Sequence, residues 1–406
     1  MTLTTDTTAS DKESAVSGAI ETTDRIASHL HPVGSFDLDD HGVPNGLEEI
    51  WRFTPLKRLR GLHNGKFSPD GKIVAGVEAD DRVRVETVGR DDARLGTVYA
   101  PGDRISAQAW TSFTEATVVT VPKETEIDEP IVVSVRGESA EQAAFGHLFL
   151  DLEQFSAATI VLDHTGNALL AANIEVRIGD GANLTLLSLQ DWDDDAVHVA
   201  HDHALVGRDA TYKHVAVSFG GDVVRLNSSV EYASTGGDVT MLGLYFADAE
   251  QHIEHRLFVD HNRPKGRSHV DYKGALQGDK AHTVWIGDVL IRKSGEGIET
   301  YESNDNLVLT DGCRADSVPN LEIETGEIAG AGHASTTGRF DDQHLFYLQS
   351  RGIPEDEARR LVVYGFFNDI IRRIGVPEIE SRLLRAVEGE LEKNIGVAAA
   401  TSESLA

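Results

Sequence analysis

Cysteine is almost missing from this chain: its 406 residues contain one, Cys313. A lone thiol cannot close an intramolecular disulfide, and its scarcity suits a reducing compartment. Basic residues are outnumbered, 37 Lys and Arg against 67 Asp and Glu, which leaves a formal net charge of −30. Such a charge repels phosphate backbones and anionic lipid surfaces, so neither nucleic acid nor membrane is expected as a partner. No apolar run reaches the roughly 18 residues a membrane-spanning helix needs. The first residues lack the basic start and apolar block of a secretory signal, so the cytoplasm is the expected location. There is no G-x-x-x-x-G-K-[ST], which excludes a P-loop ATPase, and no G-x-S-x-G, H-E-x-x-H or C-x-x-C. Aromatic residues make up only 6%, too few for a large ring-filled core.

Glycine is frequent, with 38 residues, and suits short stacked strands and tight turns. A chain of this length is one elongated domain with appendages, or two to three domains. Between Ile105 and Ile323 β-branched runs follow one another: 117–121, 131–135, 158–162, 184–189 and 214–218. Turn signals precede strands at Asp180-Gly-Ala, Arg208-Asp-Ala, Gly237-Asp-Val, Gly278-Asp-Lys and Asp311-Gly-Cys, spaced 28, 29, 41 and 33 residues apart. Strands at a loose period without intervening helices indicate a solenoid of β coils, with a sandwich or jelly roll as the rival.

The flanks read differently. Residues 1–24 are small and polar and are expected to be disordered, ahead of a mixed, partly helical segment over 25–104. Within 46–56 the Leu47, Ile50 and Trp51 spacing predicts a short helix that stops before Pro55. After the solenoid, placed at 105–340, a helical region is expected over 341–395 and a frayed tail over 396–406. It contains a short helix over 342–350 and a long one from Pro354 to Ile374. Pro354 is expected at its first position, acidic residues follow, Arg372 and Arg373 close it, and Gly375 and Pro377 stop it. A last helix is expected from about Glu378 to Lys393. In the long helix, Leu361, Val362, Val363, Tyr364, Phe366, Phe367, Ile370, Ile371 and Ile374 exceed a single stripe. Such a helix must be covered on more than one side, by its own fold, a partner or both.

Three segments carry a family resemblance: W-R-F-T-P-L from Trp51, D-G-C-R-A-D-S-V-P-N-L-E-I from Asp311, and F-Y-L-Q-S-R-G-I from Phe346. Together they resemble the SufB/SufD family of iron–sulfur cluster assembly proteins. The resemblance runs from about Arg25 to Glu392 and is densest from Asn306 to Ile374. It implies a mainly β fold, a right-handed parallel β-helix with helical segments at both ends. It further implies a non-catalytic scaffold that pairs with a SufB-like paralog and with the ATPase subunit of the system. Leu361, Tyr364, Phe366, Phe367 and Ile370 are the expected ATPase-binding residues.

His333, in A-G-H-A-S-T-T-G-R, matches the histidine that SufD-like members place at the contact with SufB. It is the expected cluster-assembly and metal-binding residue, since neutral imidazole is a good iron ligand. Cys313 matches the cluster-building cysteine of SufB-like members, although a lone cysteine is commonly a small buried hydrophobe. One cysteine cannot hold a four-thiolate cluster, so a transient cluster is expected at a subunit interface and none held stably by this chain alone. A spacing of twenty residues predicts that both face one rim. A SufB-like chain that nucleates the cluster itself, and a β-helix enzyme acting on polysaccharides, are the alternative readings. His198, His201 and His203 are weaker metal candidates. His252, His255, His261 and His269 receive no role.

Overall fold

The computed structural model describes residue 30 and residues 33–340, 342–377 and 379–389. The start over 1–24 and the tail over 396–406 lie outside the described residues. The segment before the solenoid contains strands β1 (Ile73–Glu78) and β2 (Arg84–Gly89) and helix α1 (Arg104–Ser112). Asp103 caps α1 in a capping box with Ser106. Strand β3 (Glu115–Val121) opens the main sheet, and β4 (Ile131–Leu152) and β5 (Ala157–Ile178) are its long strands.

Strand β5 is where two stacks begin. Its first half pairs in parallel with β6 (Asn183–Trp192), its second half with β7 (Val197–Val206). On the even side β8 (Thr211–Phe219), β10 (Asp238–Ala247), β12 (Arg267–Leu276), β14 (Glu299–Val308) and β16 (Gly330–Arg339) follow β6. On the odd side β9 (Val223–Tyr232), β11 (His252–His261), β13 (His282–Ile291) and β15 (Arg314–Ile323) follow β7. All these ladders are parallel; among the described residues only β1–β4 and β2–β3 run antiparallel. This is a parallel β-solenoid of about eight turns and not a sandwich.

Successive even strands start at 183, 211, 238, 267, 299 and 330, and odd ones pair at 169, 197, 223, 252, 282 and 314. The period is therefore 26 to 32 residues on each side. The irregular spacing of 41 has a simple origin. The first three turn signals precede β6, β8 and β10, whereas the last two precede β13 and β15, on the opposite edge.

Alternate side chains face inward, as a strand dictates. Ile160, Leu186, Val206, Met241, Ile253, Val270, Trp285 and Val289 fill the interior. Two inward glycines permit aromatic packing: a β carbon on Gly243 would stand 1.9 Å from the Tyr272 ring, and one on Gly274 2.0 Å from Tyr245.

The outer faces are covered separately. Trp51, Leu59, Leu62 and Ile105 cover Leu169, Val197, Val199 and Val223 on the odd side. Residues 46–56 do not form the expected helix; they run in three-residue turns into a 3-10 helix at Leu56–Leu59. The cause is tertiary: Trp51 stacks on Arg225 and Thr54 donates to Glu254, so the solenoid dictates the path.

On the even side α2 (Asp342–Ser350) and α3 (Glu355–Ile374) follow the last coil, with a further helix over 379–389. Pro354 is the N-cap of α3, one residue before the expected position, and Gly375 ends it at φ 76°. Val363, Phe367, Ile370, Ile371, Ile374, Leu383 and Val387 bury Leu187, Val217, Leu244 and Phe246 of the sheet. Arg382 holds Asp163 with two hydrogen bonds of 2.8 and 2.9 Å. Among the described residues no helix is long and apolar enough to cross a membrane.

Candidate functional site

The solenoid interior changes character in its last coils. In β14 the inward positions are Thr300, Glu302, Asn304 and Asn306, all buried. A hydrogen-bonded chain crosses from here to the end. Tyr245 Oη donates to Asn306 Oδ1 at 2.8 Å, and Asn306 Nδ2 donates to Asn304 Oδ1 at 2.7 Å. Ser317 Oγ of β15 donates to the same Asn304 oxygen at 2.7 Å, and Ser335 Oγ of β16 donates to Ser317 at 2.8 Å. Strands β15 and β16 are themselves only partly covered along their lengths. The solenoid thus ends in a polar, solvent-accessible mouth.

His333 lies in this mouth. Parallel register sets it beside Glu302 on β14, with Nδ1 3.8 Å from Oε1. The imidazole is 45% exposed and the carboxyl 2%. Burial first, and Asp288 second, push the Glu302 carboxyl up to about 8. Neither Glu302 oxygen has a hydrogen-bond partner. The carboxyl crosses toward Gly287 of β13, where an added β carbon would meet Oε2 at 2.3 Å. No sequence motif marks Glu302. Its signal is positional: an acidic residue at an inward, period-2 place one coil before His333.

Cys313 occupies the turn before β15, on the opposite sheet of the same coil. Its Sγ donates to the Gly278 carbonyl at 3.1 Å, approaches Thr310 Oγ1 at 3.4 Å, and packs against the inner core. Cys313 and His333 thus sit at the two terminal strands of the solenoid but on opposite sheets of it. Coil geometry explains this, since the twenty residues between them carry the chain from one sheet to the other. Burial, chiefly, raises the thiol above its ordinary value. Alkylation of Cys313 in the native chain should therefore be about tenfold or more slower than that of a free thiol at pH 7.5, and should accelerate as pH rises through 9. Mass spectrometry after timed iodoacetamide treatment measures this; reaction at the free-thiol rate would contradict it.

His201 and His203 share the outer face of β7, as expected for alternate residues, but they are covered by the N-terminal segment rather than by solvent. His201 Nδ1 meets Tyr99 Oη at 2.8 Å, and both imidazoles reach Ser229 Oγ, at 2.9 and 2.7 Å. Burial pushes them down to about 4 and about 3, so both are neutral at pH 7. His198 faces inward, to Gln190 at 2.8 Å. Among the described residues no group of three or more His, Cys, Asp or Glu could hold a metal ion.

Of the expected partner-binding residues, Leu361 and Tyr364 are exposed and Phe366 is half-buried. Phe367 and Ile370 are fully buried against the even sheet and cannot meet a partner directly. Phe346 and Tyr347 of α2, 72% and 56% exposed, are further apolar groups on the outside of the helical region.

Residues 135–366 match the family model described as SUF system FeS cluster assembly, SufBD core domain. An iron–sulfur cluster assembly SufBD family protein of Mycobacterium bovis is 54% identical over 364 residues, covering 88% of this chain and 92% of the relative. The SufD protein of Escherichia coli is 24% identical over 382 residues, covering 85% and 89%. A second Mycobacterium bovis SufBD family protein is 25% identical over 233 residues, 57% of this chain and 27% of that one.

Proposed function

This chain belongs to the SufBD family of iron–sulfur cluster assembly proteins, and from that premise we propose that it is a non-catalytic scaffold subunit. The mouth of its solenoid pairs with a SufB-like paralog, and a transient cluster forms at that junction. Helices α2 and α3 dock an ATPase subunit, which supplies the hydrolysis for which this chain has no P-loop. The assembly works in the cytoplasm.

One observation carries this reading. The last coil keeps a polar interior with a half-exposed imidazole, while the outer sheet faces are closed by the chain's own segments. The Mycobacterium bovis relatives support a paralog, because two SufBD family proteins occur in that one organism. The half-buried Cys313 thiol, which holds its proton more tightly than a free thiol chiefly through burial, speaks against this chain nucleating the cluster alone. The polysaccharide reading is not favoured, since family membership supplies a function without it.

Truncation at Arg351 is a poor probe of the ATPase contact, because it would bare Leu187, Val217, Leu244 and Phe246 and favour aggregation. A double substitution, Leu361→Glu with Tyr364→Asp, alters only exposed groups. Surface changes of this kind shift stability by about 0.5 kcal/mol or less each. The variant should lose most ATPase capture, with at least a tenfold fall expected for exposed interface anchors, while its melting temperature and paralog binding stay. Undiminished ATPase capture would remove the exposed face of α3 around Leu361 and Tyr364 from the interface.

A further inference from the structure

We propose that Glu302 is a second iron ligand of this chain: its carboxylate and the His333 imidazole together take a ferrous ion at the mouth of the solenoid. The inference deepens the scaffold reading and rests on it for the identity of the metal. Three observations on Glu302 carry it.

The first is its lack of partners. Buried carboxyl groups in folded proteins are hydrogen-bonded or paired, because desolvating them otherwise costs several kcal/mol. Glu302 is 1% exposed, yet neither oxygen accepts a hydrogen bond. Its neighbours on the chain's own strands, Asn304 and Asn306, are by contrast fully engaged with Tyr245, Ser317 and each other. The network that fills the end of the solenoid therefore passes Glu302 by.

The second is the gap to His333. The distance of 3.8 Å is too long for a hydrogen bond. Two donors each about 2.0–2.2 Å from one cation stand roughly 3–4 Å apart, so the gap suits a shared ion. Register fixes this placement, because Glu302 and His333 are directly paired across β14 and β16. The backbone, and not a mobile loop, holds the pair.

The third is access and chemistry. Glu302 lies inside the mouth and His333 at its edge, so an ion arriving from solvent meets the imidazole first. Imidazole and carboxylate together suit ferrous iron, and Asp288, which also acts on Glu302, adds negative potential. Two protein donors leave coordination positions open. With no third metal-ligating residue grouped here among the described residues, the remainder must come from water or from the docking chain.

The test uses the full chain and cobalt(II) as a spectroscopic probe of the ferrous site. Wild type, Glu302→Gln and His333→Ala are titrated under identical conditions and followed by visible absorbance and calorimetry. Glutamine keeps the length and shape of the glutamate side chain, so Glu302→Gln should stay folded, which its melting temperature checks. His333 is half-exposed and its loss should leave the fold intact, which keeps the test decisive should the first variant fold poorly. We expect each variant to weaken cobalt binding at least tenfold and to lose the cobalt visible bands. Binding by Glu302→Gln equal to wild type, absence of binding in both included, would overturn the assignment, as would unchanged binding by His333→Ala. Capture of a paralog by the same samples is scored separately. Its failure would strike the scaffold reading and leave the cobalt result to stand on its own.

Discussion

Replacing Arg225 with leucine should destabilise the folded chain by about 3–5 kcal/mol, the usual consequence of stripping one partner from a buried ion pair. Arg225 is 1% exposed and Glu254 fully buried. Nη1 of Arg225 donates to Glu254 Oε1 at 2.6 Å and Nη2 to the Ile50 carbonyl at 3.0 Å, while the guanidinium lies 4.2 Å from the centre of the Trp51 ring. One side chain thus fastens the N-terminal segment to β9 and neutralises a carboxylate of β11. Burial alone would raise the Glu254 carboxyl, but Arg225, His252 and Arg256 overcome it and hold the group well below the usual carboxylate range.

The sign of the pH effect follows. A depressed carboxyl contributes stability above its unfolded value of about 4.5 and loses it as pH falls toward the folded value. Wild type should therefore weaken on acidification below about 4.5. Arg225→Leu should show much of that loss already at pH 7 and a shallower acid dependence. Urea unfolding at pH 7 and pH 4 measures both, with proteolysis between residues 30 and 60 as a local readout. A change under about 1 kcal/mol at pH 7 would mean that the N-terminal segment is not anchored through Arg225.

His333→Ala should reduce cluster formation in the reconstituted complex by about tenfold or more, while the chain remains folded and partner-bound. Changes even to groups that merely orient a metal ligand cost 10- to 100-fold in affinity or activity, and His333 is proposed as a ligand. The half-exposed ring makes few packing contacts to lose, so a fall in yield would not reflect misfolding. Cys313→Ala should do less, because its thiol is tied to Gly278 and Thr310 and turned to the inner core. Iron and sulfide content and visible absorbance of complexes carrying each variant decide the matter. Wild-type yield with His333→Ala would exclude it from the site, and a larger loss with Cys313→Ala would favour a SufB-like chain that nucleates the cluster itself.

The solenoid was legible because Gly/Asp turns and β-branched runs are local signals. Its period was blurred because turns from both edges were read as one series, Gly237 belonging to one edge and Gly278 to the other. The 22-residue strands β4 and β5 were hidden, since each passes from one sheet to the other through glycines, Gly137 and Gly166, that look like turn residues. The long apolar helix exceeds a single stripe because it packs against both the even sheet and the last helix, while Leu361 and Tyr364 stay exposed. Sequence could not divide its faces, which is why Phe367 and Ile370 were grouped with the exposed Leu361 and Tyr364. Docking by Arg225 and Glu254 replaced the expected helix within 46–56 with turns, an effect no local pattern carries. Glu302 escaped notice because its role depends on register with His333, and register is a tertiary property.

The most direct test is affinity purification of the tagged full chain from its native host, with the eluted proteins identified and the complex sized. The scaffold account predicts that a second SufBD family chain and an ATPase subunit co-elute with it as one species, and that the paralog is lost when the exposed edges of β15 and β16 are blocked by charged substitutions. Elution of this chain by itself, with neither partner present under conditions that preserve other assemblies of the host, would contradict it.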